Sequence, residues 1–327
     1  MYKSIFVLIT MVLCSCTPRQ TGVTSKTESR PSGEVKGQPG EQPGAQPSAD
    51  APTLFPVKIG DQYGYINRKG KVVLPATYAG ASRFSEGLAP VQLVKMGKVG
   101  YIDVAGKLVI PAKFDVGDPF SEGLAAVMHD HSWGYIDKTG IMVIPATFRA
   151  GERFSQGKAV VGVALGPAVD LAYINTKGEF WQTARFEYAM PFGEGLAAVR
   201  SMGQLVRFID ESGKTAIPPK YLTAGEFASG LAPVEIQLTD SIRWGFVDKG
   251  GNLVISAHFL KAYPFSEGLA AVQSGDSKWG YIDTKGTMVI PPKYDDAELF
   301  RGGLAQVAVN KATGYIDTKG KYVWEPK

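Results

Sequence analysis

Cysteine is almost absent from this chain of 327 residues: Cys14 and Cys16 are the only two, both close to the amino terminus. The rest of the polypeptide therefore carries no disulfide and no thiolate chemistry. Histidine is nearly as scarce, with only His129, His131 and His258. His129-Asp130-His131 brings two imidazoles and a carboxylate together, but without a third or fourth ligand in view it reads as a solvated turn, not as a zinc site. Charge of one sign is also lacking. The formal net charge is +4, and the basic residues are scattered, so the electrostatic footprint of a nucleic-acid binder is missing. No apolar run is long enough to cross a bilayer as a helix, which takes about 20 residues. No G-x-S-x-G, H-E-x-x-H, P-loop or Rossmann glycine turn occurs in the context it requires. Neither an enzyme nor a cofactor-binding or metal-binding protein is expected.

What is abundant is punctuation. The sequence holds 39 Gly and 21 Pro beside 44% apolar and 11% aromatic residues, the mixture of a packed chain with many short turns. The punctuation is periodic. Tyr65, Tyr101, Tyr135, Tyr173, Phe208, Phe246, Tyr281 and Tyr315 occupy one place in a phrase repeated eight times at intervals of 34 to 38 residues, which marks tandem supersecondary units. Each unit opens on an alternating segment such as Leu124-Ala125-Ala126-Val127 and then enters a Gly-aromatic-Ile-Asp strand. It turns at Asp137-Lys138-Thr139-Gly140 or its equivalent, and continues into Met142-Val143-Ile144-Pro145. The Asp can accept nearby backbone N–H groups, the Gly supplies a positive φ, and the Pro belongs at an edge or a break in pairing. A loop carrying Phe-Ser-Glu-Gly leads to the next unit.

The fold class expected is all-β: a tandem repeat of about eight three-stranded antiparallel meanders. The repeats begin and end on unit boundaries, with Leu54-Phe55-Pro56-Val57 in the first and Tyr322-Val323-Trp324 in the last. No strand is left over to complete a shared blade, so an open curved array is the expected arrangement and an eight-bladed β-propeller the alternative.

The phrase Trp279-Gly280-Tyr281-Ile282-Asp283 with Ile290-Pro291 and Phe265-Ser266-Glu267-Gly268-Leu269-Ala270 resembles the WG repeat family of bacterial envelope proteins, across essentially all of residues 54 to 327. The resemblance implies an all-β repeat with an interaction role, and no reaction. The Trp itself is kept at Trp133, Trp244 and Trp279 and replaced by Tyr63, Val99, Leu171, Val206 and Thr313. A place that accepts Trp, Val and Leu is a packing place. The Asp series, with Asn67 and Asn175 as substitutes, reads as turn-forming, since Asn can replace a turn Asp and cannot replace a general acid. Glu86, Glu122, Glu194 and Glu267, with Gln156, are expected to accept hydrogen bonds in the loop that crosses to the next unit.

Residues 1–15 read as a signal peptide: Lys3, then an apolar run from Ile5 to Leu13. Leu13-Cys14-Ser15-Cys16 is similar to the bacterial lipoprotein signal, which implies lipid attachment at Cys16 and, with Thr17 behind it, an address at the outer membrane. Residues 16–52, rich in Pro, Gly, Ser and Gln, form a flexible linker, and residues 53–327 are the repeat domain. Units four and five depart most from the pattern. Ala172 and Arg207 stand in place of Gly, and Thr183 in place of Pro. Broken local rules are where function is sought, so Trp181, Arg185, Tyr188, Arg200 and Arg207 are the candidate interaction surface. The expected partner is another envelope protein, with glycan recognition by the aromatic hairpins as the alternative.

Overall fold

The computed structural model describes residues 53–165 and 168–326. The expected signal peptide, Cys16 and the expected linker lie outside them. Every regular element among the described residues is a β-strand, and the strands assemble into eight separate antiparallel sheets. The second sheet shows the plan: a two-residue innermost strand Gly80–Ala81, a second strand Leu88–Gln92, a third Val99–Asp103 and an outer strand Leu108–Phe114, paired in that order. The last three are the strands the repeat predicts. The innermost is too short to leave a period in the sequence, and it raises the count to four in six of the eight sheets. The first and fourth sheets have three strands.

The turns form for the reasons their residues suggest. Asp283 Oδ1 accepts the backbone N–H of Lys285 and of Thr287, each at 2.8 to 2.9 Å, and Asn67 and Asn175 make the same pair of contacts in their own units. The glycine of each Gly-aromatic strand has a different cause. Outside the fourth and fifth sheets the outer strand bulges over it, and a Cβ on Gly280 would stand 2.5 Å from the carbonyl oxygen of Ile290. The Pro of the outer strand sits in that bulge, at the sheet edge, where it needs no ladder partner. In the fourth sheet Ala172 replaces the glycine, and the segment opposite holds only isolated bridges, Ile174 with Phe180 and Leu171 with Phe186. In the fifth sheet Arg207 replaces it opposite the same bulge, and its side chain reaches Ser201 and Gln204 and lies over the Phe186 ring.

The repeat aromatic is the centre of each core. Tyr65, Tyr101, Tyr135 and Tyr281 have no exposed surface, and each packs edge to face or tilted on the Phe of the following crossing loop, for example Tyr135 on Phe154 at 4.9 Å between centroids. A buried phenol needs a partner. Tyr65, Tyr101, Tyr135, Tyr173 and Tyr281 donate to the backbone carbonyls of Ser82, Asp118, Glu152, Met190 and Glu298, each in the next sheet, at 2.6 to 2.9 Å.

The open array is corrected by the last member of that series. Tyr315 donates to the carbonyl of Pro56 at 2.9 Å, joining the eighth sheet to the first. Phe55 packs on Tyr315, and Phe55, Val57, Ile66, Leu304 and Tyr315 form one buried cluster. A Cβ on Gly70 would meet the carbonyl of Val323, as the corresponding Cβ on Gly140 would meet Ile110 of the preceding sheet. The ring is closed, and the eight sheets are the blades of a propeller. The missing shared blade is real, but it does not prevent closure, because lateral side-chain packing joins the first and last blades as it joins every other pair.

Candidate functional site

Between the innermost and second strands of blades 2 to 8 the chain reverses in a two-residue hairpin. Ser85 and Leu88 exchange backbone hydrogen bonds around Glu86 and Gly87, with φ of 52° and 87°. A positive φ at both central positions is the type I′ geometry that suits strand twist, and glutamate tolerates it poorly. The contact it makes accounts for its presence. The carboxylates of Glu86, Glu122, Glu194 and Glu267 accept backbone N–H groups from the equivalent hairpin of the next blade, and Gln156 does so with its amide oxygen. Ser85, Ser121, Ser155 and Ser266 donate to the carbonyl of the next blade's Phe. Hairpin is thus latched to hairpin around the axis of the ring.

The two residues before each of those Phe side chains are held at one level by the latches, and there the structure collects charge. The second of the pair reads Arg83, Pro119, Arg153, Pro191, Glu226, Pro264 and Leu299, so that long charged side chains from blades 2, 4 and 6 alternate with prolines. The first of the pair adds Asp118, Glu152 and Glu298. Arg301, in place of the latching Ser of blade 8, completes the group. These residues act on one another across the ring: Arg301 of blade 8 repels Arg153 of blade 4 on the opposite side, and Arg83 feels both. Opposed blades can meet only at the axis.

Arg153 grips Glu226 with both ends of its guanidinium, one hydrogen bond at 3.2 Å and a second shorter. Burial pushes the Asp118 carboxyl up to about 6 against the pull of Arg83, and burial with repulsion from Asp118 raises Glu152 to about 7. Glu226 and Glu298 are raised, first by burial. Burial, then Arg301 and Arg153, lower Arg83 to about 10, so it stays charged at neutral pH. Glu152, Glu298 and Arg301 nevertheless keep exposed surface. Protein surrounds them on most sides while solvent reaches them along the axis, and that screening softens the effect of burial. Sequence reasoning missed this group. The signal available was the column before an unvarying Phe in which charge and proline alternate.

The residues of the candidate interaction surface are largely occupied within the chain. Trp181 packs edge-on against Tyr173 and Phe192. Arg185 lies over Phe180 and donates to the carbonyls of Gln182, Thr183 and Ala184. Tyr188 donates to the carbonyl of Ala224, Arg200 to that of Leu222 and to Glu187, and Arg207 to Ser201 and Gln204. Trp181 and Arg185 border the irregular outer edge of blade 4, and the other three sit on adjoining strands of blade 5. His129, Asp130 and His131 occupy a hairpin tip in blade 3. Among the described residues no three His, Cys, Asp or Glu side chains come together to hold a metal ion.

An eight-bladed propeller with latched hairpins and an occupied axis defines the class of protein. Seven segments, 63–93, 100–130, 133–163, 172–203, 207–237, 244–277 and 279–311, match the model of the WG containing repeat, and the chain belongs to that family. No curated protein matches it. Solved structures similar to it include the computationally designed Ika8 protein, at 12% identity and a TM-score of 0.46, over 84% of this chain and 96% of that one. BamB from Moraxella catarrhalis is similar at 13% and 0.46, over 82% and 92%, and apo AztD from Citrobacter koseri at 13% and 0.45, over 84% and 94%.

Proposed function

We propose that this chain is a non-enzymatic, lipid-anchored protein of the bacterial cell envelope whose propeller presents a binding surface to another envelope protein. The inward placement of its aromatics carries this reading. The Tyr and Phe series is buried, Trp279 is 4% exposed, and Trp133 and Trp244 pack against blade cores. A glycan reader needs rings that face solvent, and among the described residues only Phe180 is an exposed aromatic, at 48%. The contact face proposed is the irregular edge of blade 4 with the neighbouring Tyr188, Arg200 and Arg207, where Thr183 and Ala184 are exposed. Most regular outer edges carry a proline, as natural edge strands often do; the outer edge of blade 4 carries none and holds only isolated bridges.

The test is a photo-crosslinking residue at Thr183 in cells, with the same residue at Lys58 of blade 1 as reference. One protein cross-linked from position 183 and not from position 58 supports the reading. Retention of the purified chain on isolated cell-wall glycan, with release by free sugar and no protein cross-link, would replace it by carbohydrate recognition. Membrane attachment is tested separately by Cys16→Ser, expected to move the protein from the outer-membrane fraction to the soluble one.

A further inference from the structure

Three guanidinium groups converge on the axis, and their circumstances differ. Arg153 is satisfied by Glu226 in a bidentate pair. Among the described residues, Arg83 and Arg301 have no ion-pair partner within 4.0 Å and make no side-chain hydrogen bond. Arg301 stands where four other blades have the Ser that latches to the next Phe; blade 1, which follows blade 8 in the ring, offers no such Phe among the described residues, so this position carries a cation at the axis in place of a latch. Asp118 and Glu298 offset part of the charge of Arg83, and Glu298, Glu226 and Glu267 part of that of Arg301, but none pairs with either guanidinium, and Arg301 repels Arg83. Cations held together unpaired are costly unless a ligand or counter-ion completes them. The forked guanidinium is shaped for two oxygens of one planar or tetrahedral anion.

We propose that Arg83 and Arg301 form an oxyanion site on the propeller axis, which takes a carboxylate or phosphoryl group of a ligand entering from the solvent-exposed side of Arg301. Arg153 is held back from it by Glu226 and sets one wall. Glu226 is taken up by Arg153, Glu267 acts on Arg301 and Asp296 on Glu298; the carboxyls facing the site are Asp118, Glu152 and Glu298. They oppose an anion when ionised and can donate a hydrogen bond to it when protonated, so binding strengthens as pH falls from 8 to 6.

The experiment is calorimetric titration of the full chain at fixed ionic strength with sulfate, as the tetrahedral probe, and malonate, as the carboxylate probe. The expected result is saturable one-to-one binding of at least one probe, tighter at pH 6 than at pH 8. Arg83→Gln and Arg301→Gln should each lose about tenfold or more in affinity, the scale of a lost charged hydrogen bond. Arg243→Gln, which removes a half-buried Arg of blade 6 that donates to the carbonyl of the adjacent Ile242, should change nothing. Preference for sulfate assigns a phosphoryl ligand and preference for malonate a carboxylate. Thermal unfolding verifies that each variant is folded. Should a Gln variant fail to fold, Arg83→Lys and Arg301→Lys keep the charge and lose the fork, and an intermediate loss is expected. Absence of saturable binding of both probes to the unaltered protein would overturn the site, as would equal binding by the folded Arg83 and Arg301 variants.

Discussion

The hydroxyl of Tyr315 donates to the carbonyl of Pro56 at 2.9 Å, across 259 residues of sequence. Five other tyrosines make the equivalent bond to the next blade over 17 residues. One contact type thus both spaces the blades and closes the ring.

Tyr315→Phe leaves the ring packed and removes the bond, so the Pro56 carbonyl loses this partner. A loss of about 1–3 kcal/mol is expected, the cost of an unsatisfied buried polar group. Urea unfolding measures it. An unchanged midpoint would remove the closing bond from the account of stability.

Closure brings the ends of the repeat domain together, so a circular permutant is expected to fold. A short linker would join Lys327 to Thr53, and new ends would open at the turn containing Met202, which is 83% exposed. Such turns tolerate new termini. A permutant that melts far below the parent, or without cooperativity, would speak for an open array.

Gly280→Ala forces a Cβ to within 2.5 Å of a backbone carbonyl that cannot swing away. Overpacking of this kind costs about 1–3 kcal/mol. Relief would come through separation of the outer strand, as at Ala172. Hydrogen exchange should therefore quicken in 288–294 before it does in 269–273, and uniform protection in the variant would contradict the bulge argument.

Arg153→Ala leaves Glu226 without its bidentate partner, while Arg153→Ala with Glu226→Ala removes both charges. Truncating one member of a buried pair costs about 3–5 kcal/mol. Here the side chains are 34% and 19% exposed, so about 1–3 kcal/mol is expected for the single variant and less for the double. A double variant weaker than the single would mean that the pair itself stabilises the ring.

Stability should depend on pH in two opposing ways. Asp118 and Glu152 hold a proton more tightly folded, at about 6 and about 7, than at their ordinary 3.8 and 4.5. The folded state binds more protons than the unfolded one in that interval, so stability falls as pH rises from about 4 to about 7. Asp210, Asp248 and Asp283 are lowered, chiefly by hydrogen bonds from Ser212, Asn252 and Thr287. Their contribution is present above 3.8 and lost as pH falls through their depressed values. The melting temperature should therefore peak at about pH 4 and decline toward about pH 7, and Asp118→Asn should flatten that decline. A rise in stability from pH 4 to 7 would contradict the raised axial carboxyls.

The period, the strands and the turns were legible in the sequence because each depends on residues within a few positions of one another. Asp283 with Gly286 specifies a hairpin, Gly280 permits the bulge that Pro291 lies in, and the loss of both kinds of residue at Ala172 and Thr183 foretells the irregular fourth blade. The glutamate contacts were legible too, since a residue repeated in most units needs a reason that recurs in every unit. Closure was not, because it depends on eight small rotations between blades adding up to a full turn, and no residue encodes that sum. The axial charges were hidden for the same cause. Arg83, Arg153 and Arg301 are scores of residues apart and resemble ordinary surface positions until the ring closes. Only then does the geometry of a circle bring the innermost turns of all its blades to one point.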